Sequence, residues 1–525
     1  MGSINSDIPG PFDVESVAII GAGPSGLAAA KYLLAQPSST PATGSSHFKR
    51  ITIYEQQPQV GGVWLYSASP AHATPIPQTS PLSPPDPPLT DGEAGDGRPI
   101  FPSPMYERLH TNIPHTLMQF SDLPFTDDRG RTVEQDADLR IFPEREVVQR
   151  YLVEYAAEVR HLIRFSTSVL DIKLRKVAID GGGGREKDQW DVTSRDLPTG
   201  REETATYDAV VVGSGHYSTT YVPDLSGIRE FDRAHPGLVS HAKTYRTPRS
   251  YEGKKVLLVG NSASGLDIAS QITKVCRQPL LVSAQTGTPE DVREHVGFEE
   301  VAEISHFLPE RRGVQLKDGR QVADLDAVLF CTGYLYTFPF FRDAELKGEG
   351  EAGEGEKIVT DGRKVHGLYK HFLHIRHPTL AFLALPIKVI PFPFSEAQAA
   401  VLARAWANEL PLPPAREMLE WERREAKERK QGKYHVFPPL GDAEYINEMH
   451  DWLVRDSARG KLPPRWGPEM FWQRGLYAQA KMKFEKGGKK ARTLEELGYV
   501  YEPDKEGETE EEEARIRDPG LDVAG

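Results

Sequence analysis

Cysteine is nearly missing from this 525-residue chain, which has only Cys276 and Cys331. Two thiols make no disulfide framework, are too few for a thiolate metal site and form no CxxC pair, so a reducing compartment, the cytoplasm, is expected. Each is expected to be a small buried filler. A basic excess is missing too: 63 Lys and Arg face 76 Asp and Glu, a formal net charge of -13, which argues against nucleic acid as a partner. No apolar run is long enough to be an integral membrane segment. The stretch AFLALPIKVIPFPF is broken by Lys388 and prolines and falls short of the ~20 residues a spanning helix needs. The opening MGSINSDIPG lacks the charged and apolar regions of a secretory signal, although Gly2 and Ser6 fit the short myristoylation pattern, which arises often by chance. The histidines show no HExxH or similar spacing, so no metal is expected, and GNSASG lacks the GxSxG elbow of hydrolases.

What is present suits a soluble globular protein with material for more than one core: 38% of residues are hydrophobic and 26% charged. A chain of this length exceeds what one core serves, so two domains are expected.

Residues 17–34, VAIIGAGPSGLAAAKYLL, run from an apolar strand through Gly21, Gly23, Pro24, Ser25 and Gly26 into an Ala/Leu-rich helix. Glycines at this GxGxxG spacing permit a tight turn, close approach of backbone to a pyrophosphate, and helix-on-strand packing, with the phosphate at the helix N-terminus. The next strand is expected at ITIYE, 51–55, ending in Glu55, whose carboxylate would bind a ribose hydroxyl pair. A Ser/Thr/Pro/Gly-rich loop at 36–50 accounts for a separation longer than the usual ~20 residues. Because a carboxylate repels a 2′-phosphate, the first turn suits FAD or NAD better than NADP.

Residues 256–272, VLLVGNSASGLDIASQI, repeat the pattern through Gly260, Asn261, Ser262, Ala263, Ser264 and Gly265, with serine in place of the middle glycine. The following strand, PLLVSAQ, has no acid at its end, and Gln285 stands where an arginine would select a 2′-phosphate. Lys243, Arg246 and Arg249 are alternative cations for that phosphate, or ordinary surface cations. Two dinucleotide sites imply two cofactors that exchange hydride, a flavin being the usual acceptor from a nicotinamide. With no CxxC to reduce, the flavin's electrons need another acceptor.

The short strands DAVVVGSG, 208–215, and DAVLFCTGY, 326–334, bracket the second turn. The expected fold class is therefore α/β, with two Rossmann-like dinucleotide-binding domains, the NADP domain at 216–330 inserted in an FAD domain at 14–215 and 331–500, and helical C-terminal additions. Residues 1–13 are expected to be a flexible N-terminus and 501–525 an acidic disordered tail. A Pro-rich insertion, 67–104, has too many prolines for regular structure and is either a surface insertion or an ordered lid over a site. The glycine clusters at 181–184 and 347–357 read as loop tips. Helices are expected beyond 394, the first opened by Ser395 and Gln398 at capping-box spacing, and REMLEWERREAKERK reads as a mostly solvated face.

Other segments carry a family likeness. HPGLVSHAKTYR places Gly237, His241, Tyr245 and Arg246 on the pattern FxGxxxHxxxY followed by a basic residue, with His235 where phenylalanine is usual. EQQPQVGGVWLY supplies a GGxW segment with Gly61, Gly62 and Trp64, and YERLHTNIPHTLMQFSDLPF an LxTNxP segment. SGHYSTTYVPDLSGI, LFCTGY and LYKHFLHIRHPTLAFLAL follow in family order. From about residue 14 to 410 the sequence thus resembles the flavin-containing monooxygenases of the soluble fungal and yeast-like kind. Baeyer-Villiger oxygenases carry tryptophan and proline at the positions of Tyr245 and Arg246.

The resemblance implies that FAD is held by the first turn with Glu55, Gly62, Val63, Trp64, Thr111 and Asn112. It implies that NADPH is held by the second turn with Ser240, His241, Tyr245, Arg246, Thr332 and Gly333. NADPH would reduce FAD, and O2 would then form a flavin C4a-hydroperoxide that oxygenates a soft nucleophile, nitrogen or sulfur, of a small-molecule substrate. Asn112 would be the catalytic residue, orienting the peroxide, while Ser240 to Arg246 keep the nicotinamide in place. Asn112 alone would otherwise read as a turn asparagine before Pro114. His216, His241 and His371, taken singly, are more often structural than catalytic. The alternatives are a Baeyer-Villiger or N-hydroxylating monooxygenase and, in a different class, an inactive flavoprotein scaffold. A role in fungal secondary metabolism fits the likeness, and a homo-oligomer is compatible with it.

Overall fold

The computed structural model describes residues 9–38, 46–89, 99–125, 139–178, 186–342, 345–346, 356–429, 433–457 and 459–503. The myristoylation pattern at Gly2 and Ser6, the glycine run at 181–184, most of the cluster at 347–357 and the tail from 504 lie outside the described residues.

Strands buried on both faces belong in parallel sheets covered by helices, and both glycine turns leave such strands. Ser16–Ile20 lies inside a seven-stranded sheet, with Arg50–Tyr54 and Ile163–Arg164 to one side and Ala209–Val212 and Leu380–Phe382 to the other, all parallel. The hairpin strands Leu368–Tyr369 and Leu373–His374 extend it antiparallel. Val256–Val259 is the middle strand of a five-stranded parallel sheet, flanked by Leu280–Ser283 and Phe298–Val301 on one side and Ala327–Phe330 and Val239–His241 on the other. The first sheet draws strands from before and after the second in the chain, so the second dinucleotide unit is inserted in the first. In both sheets the strand that carries the turn has neighbours joined by crossovers in opposite directions, the switch point where open α/β sheets bind ligands.

A sheet that the sequence reading left unassigned sits beside the first. Thr167–Ala178, Glu186–Asp196 and Glu202–Tyr207 form an antiparallel meander, and its inner face sets Ile172, Leu174, Trp190 and Val192 against Tyr54 and Tyr207.

Among the described residues, four helices occupy the C-terminal part: Pro391–Trp406, Ala415–Glu428, Gly441–Asp456 and Pro468–Lys486. The capping box at Ser395 and Gln398 is corrected. The first of these helices begins four residues earlier, with Pro391 in its first turn, where its missing N–H leaves no bond broken. Ser395 is a buried interior residue whose hydroxyl donates to the Pro391 carbonyl at 2.6 Å, and Gln398 accepts the Ala384 N–H at 2.8 Å. The helix is buried on every side because it packs between Pro24–Leu34 and Gly441–Asp456. Ala415–Glu428 does present a solvated face, with Met418 its one buried residue.

The described part of the Pro-rich insertion has no regular helix or strand, as expected, yet it is fastened along its length. Gln78 and Val222 exchange backbone hydrogen bonds of 2.9 and 2.8 Å, and the Thr337 hydroxyl donates to Pro81 O at 2.8 Å. Leu89 and Ile100 pair across its far end.

Candidate functional site

Each turn is shaped by glycines that no other residue could replace. Gly21 has φ +101°, and a Cβ there would fall 2.7 Å from Gly213 O; a Cβ on Gly26 would fall 1.9 Å from Gly21 O. The second turn repeats this, with Gly260 at φ +107° and a Cβ 2.8 Å from Cys331 O, and Gly265 with a Cβ 2.2 Å from Gly260 O. Gly213 and Cys331 thus hold equivalent places, and Cys331, buried and free, fills the gap beside Gly265. Cys276 is also free and buried.

Neither helix that leaves these turns is capped by a side chain. Gly23 stands before Pro24–Leu34 and Ser262 before Ala263–Ile272; neither makes a side-chain cap bond, and neither first turn contains an acid. The leading N–H groups and the positive end of each helix dipole are left for an anion, so both ends fit the pyrophosphate of a dinucleotide. In the first turn Gly23 lies against Gly62, where a Cβ would come within 3.5 Å of the Gly62 Cα, and Ser25 is buried beside the Gly213 carbonyl. In the second, Ser262 is half-buried, Ala263 and Ser264 are exposed, and the Asn261 amide holds the loop after Leu280–Ser283 through Thr286 O and Thr288 Oγ1.

Glu55 follows its strand directly and is buried. Its Oε2 accepts the Ala22 N–H at 2.7 Å and its Oε1 the Gln57 N–H at 2.8 Å. Burial nevertheless pushes its carboxyl up to about 7, the two backbone donors only partly opposing this. Each oxygen keeps a second lone pair for a ribose hydroxyl.

The GGVW segment is hooked to the first turn by Gly61 N–H donating to Ala22 O at 3.0 Å, and Gly62–Trp64 forms one 3-10 turn. Gly61 has φ +127° and faces the Gln149 amide, which donates to Val60 O at 2.7 Å while its Oε1 is buried without a partner. Gln149 was not singled out from the sequence, since nothing local marks it.

Thr111 is tied by all three of its polar atoms. Its N–H donates to Pro143 O at 2.9 Å, its hydroxyl to Ile113 O at 2.8 Å, and its carbonyl accepts from Lys481 Nζ at 2.9 Å. Asn112, by contrast, is exposed and makes no hydrogen bond among the described residues. A turn asparagine would bond its own backbone two residues on, and Asn112 does not.

The segment Ser240 to Arg246 is anchored by buried side chains. His241 is buried: its Nε2–H donates to Gly333 O at 3.0 Å, its Nδ1 accepts the Lys243 N–H at 3.1 Å, and burial lowers its pKa to about 3. It is a neutral brace between this segment and Thr332–Gly333. Tyr245 is buried with its hydroxyl on Gln271 Oε1 at 3.1 Å, and Gln271 in turn donates to Asp267, which also accepts from Tyr106. Lys243 and Arg246 are not surface cations, and neither is free for a 2′-phosphate. Lys243 Nζ is buried against Asp86 at 2.8 Å, in the Pro-rich insertion. The Arg246 guanidinium donates to the carbonyls of Lys243, Tyr245, Ser69 and Ser103, so one side chain fastens both ends of that insertion. Ser240 is half-buried, Gly333 and Arg249 are exposed, and Gln285 is exposed after its strand. His216 lies buried against Tyr217 and Tyr336, and His371 against His435, where its Nδ1 sits 3.2 Å from that of its neighbour. His235 has its Nε2 2.8 Å from Pro309 O and its ring against Phe231. Among the described residues no cluster of His, Cys, Asp and Glu could hold a metal ion, and no helix is long and apolar enough to cross a membrane.

Two parallel sheets, one inserted in the other and each presenting a glycine turn with a bare helix end, define a flavoprotein that binds two dinucleotides. The flavin-binding monooxygenase-like family matches residues 93–293 and 302–463, and the NAD(P)-binding Rossmann-like domain matches 19–74. The chain belongs to the flavin-containing monooxygenases, oxidoreductases that use FAD, NADPH and O2. It is 31% identical to flavin-containing monooxygenase FMO GS-OX-like 2 of Arabidopsis thaliana, over 90% of this chain and 91% of that protein. It is 30% identical to the thiol-specific monooxygenase of Saccharomyces cerevisiae, over 84% and 86%. Among solved structures, S-allyl-L-cysteine S-oxygenase from Allium sativum superimposes with a TM-score of 0.68 at 25% identity, covering 92% of this chain and 96% of that one. Cyclohexanone monooxygenase shares the fold, with a TM-score of 0.51 at 14% identity over 86% and 99%.

Proposed function

We propose that the chain couples NADPH oxidation to transfer of one oxygen atom from O2 to a soft nucleophile, sulfur or nitrogen, of a small molecule, the second oxygen leaving as water. The observation that carries this reading is the pair of uncapped helix ends in a chain whose two cysteines are separate, buried and free. Hydride passed from one cofactor to the other finds no disulfide of the chain to reduce, and the chain's membership of the flavin-containing monooxygenases points to dioxygen as the acceptor. Sulfur stands first because relatives named for thiols and for S-allyl-L-cysteine are among the most similar. The sequence likeness, with flavin-containing monooxygenases of Aspergillus flavus and Amanita muscaria among the relatives, aligns the chain with fungal enzymes, for which secondary metabolism is the role proposed, and the free thiols support a cytoplasmic location.

Bound FAD supplies the dioxygen chemistry, and the residues of the chain bind, orient and exclude water. Gly21, Gly23, Pro24, Ser25 and Gly26 seat the FAD pyrophosphate, Glu55 takes the ribose, and Gly62, Val63, Trp64 and Thr111 line the flavin. Gly260, Asn261, Ser262, Ala263, Ser264 and Gly265 seat NADPH, with Ser240, Thr332 and Gly333 toward its nicotinamide. His241, Tyr245 and Arg246 act by holding that segment in place, and Arg249 is the cation left for the 2′-phosphate. Asn112 offers its unpartnered amide to the bound oxygen, and the fastened insertion keeps water out.

Asn112→Ser should reduce its flavin with NADPH within about twofold of the wild type while most of the reducing equivalents emerge as hydrogen peroxide. Coupled product at wild-type yield would remove Asn112 from the reaction. A thioether, an amine and a cyclic ketone assayed side by side test the substrate class. Fastest turnover on the ketone would favour the Baeyer-Villiger alternative.

A further inference from the structure

Lys481 lies in the C-terminal helix Pro468–Lys486, beyond the last residue of the family match at 463. Its side chain is 14% exposed and runs between the rings of Phe142 and Phe484. An ammonium taken this far from water must be recovered by strong partners. Its nearest is the Thr111 carbonyl, at 2.9 Å, and its counter-charge is Glu485, at 3.4 Å on the next turn of the helix.

That carbonyl belongs to the peptide group whose N–H is that of Asn112. A charge-assisted bond to one end of a peptide fixes the plane of the whole group and polarises its other end. The Thr111 N–H and hydroxyl are already tied to Pro143 and Ile113, so the Lys481 bond completes a three-point hold directly behind an amide that has no partner of its own. A second bond from the same helix, between Gln473 and the Thr116 hydroxyl at 2.7 Å, fixes the far side of the TN segment. Glu485 also reaches the second dinucleotide unit, with His295 Nε2 3.6 Å from its Oε2.

We propose that Lys481 is a positioning residue for Asn112: with Glu485 as its counter-charge, it clamps the Thr111–Asn112 peptide. The proposal rests on the reading of Asn112 given above.

The test compares Lys481→Met, Lys481→Arg and Asn112→Ser in the FAD-loaded full chain. Two readouts are taken: peroxide released per NADPH, and hydrogen exchange of the segment 106–118. Lys481→Met should keep NADPH-driven flavin reduction within about twofold of the wild type, release at least about threefold more peroxide, and exchange faster across 106–118. Lys481→Arg should restore most of both. If Lys481→Met loses FAD, Lys481→Gln, a smaller neutral change, carries the same comparison. Wild-type coupling and wild-type exchange in the neutral variant overturn the proposal. Uncoupling in Asn112→Ser alone overturns it while leaving the reading of Asn112 standing; full coupling in both variants overturns that reading, and the purpose assigned to Lys481 falls with it. Faster exchange with unchanged coupling reduces Lys481 to a purely structural brace, which also overturns it.

Discussion

Glu55 shows how a binding residue differs from an ordinary surface carboxylate. It is buried, bonded to two backbone N–H groups, and still held near 7 because its desolvation outweighs those bonds. In the apoprotein its protonated form is favoured by folding. The stability it contributes is fully present below the ordinary carboxylate pKa of about 4.3 and is lost as pH rises to 7. Ribose hydroxyls donate to the ionised form, so FAD affinity should move the other way. Titration of apoprotein with FAD should show binding about tenfold weaker at pH 6 than at pH 8, and Glu55→Gln should flatten the dependence. Equal affinity of the wild-type apoprotein at both pH values would separate Glu55 from the ribose. The residue itself was legible in the sequence, because a strand end after a glycine turn is a local signal. Its protonation was not, since burial depends on the whole fold around it.

At the scale of elements, the two glycine turns were legible for the same local reason. Each needs a left-handed residue at its start and a Cβ-free residue at its helix, and both requirements lie within six residues of chain. The misread helix start at Ser395 shows the limit of such reasoning. A capping-box spacing is a weak pattern, and here the burial of Phe392 and Phe394 and the fit of Pro391 in the first turn decide where the helix begins. Because the two turns are separate elements, their functions should separate by mutation. Gly265→Ala drives a Cβ into Gly260 O at 2.2 Å in the second unit and leaves the first untouched. The variant should purify with FAD bound, yet its reduction by NADPH should slow by about tenfold or more, read by the bleaching of flavin absorbance under anaerobic conditions. Normal reduction would show that NADPH does not use the second turn.

At the scale of the whole molecule, what the sequence could not reveal is how distant segments are fastened to each other. Arg246 binds the carbonyls of Ser69 and Ser103, 177 and 143 residues away, and Lys481 binds Thr111 across 370. A basic residue in a family motif reads as a cofactor ligand until the chain is folded around it, and no spacing rule reports contacts of that separation. The result is a molecule in which Arg246 fastens the insertion and the C-terminal helix fastens the Thr111–Thr116 segment. Under the proposed function, the second dinucleotide turn would deliver hydride and then keep its spent nicotinamide over the flavin.

The most direct test of this account is a double-mixing absorbance experiment without substrate. The FAD-loaded protein is reduced anaerobically with NADPH and then mixed with dioxygen. The account predicts a slowly decaying absorbance distinct from both the oxidised and the reduced cofactor, discharged on addition of a thioether or thiol. Immediate return of the oxidised spectrum with stoichiometric hydrogen peroxide, in the presence of bound NADP+, would contradict it.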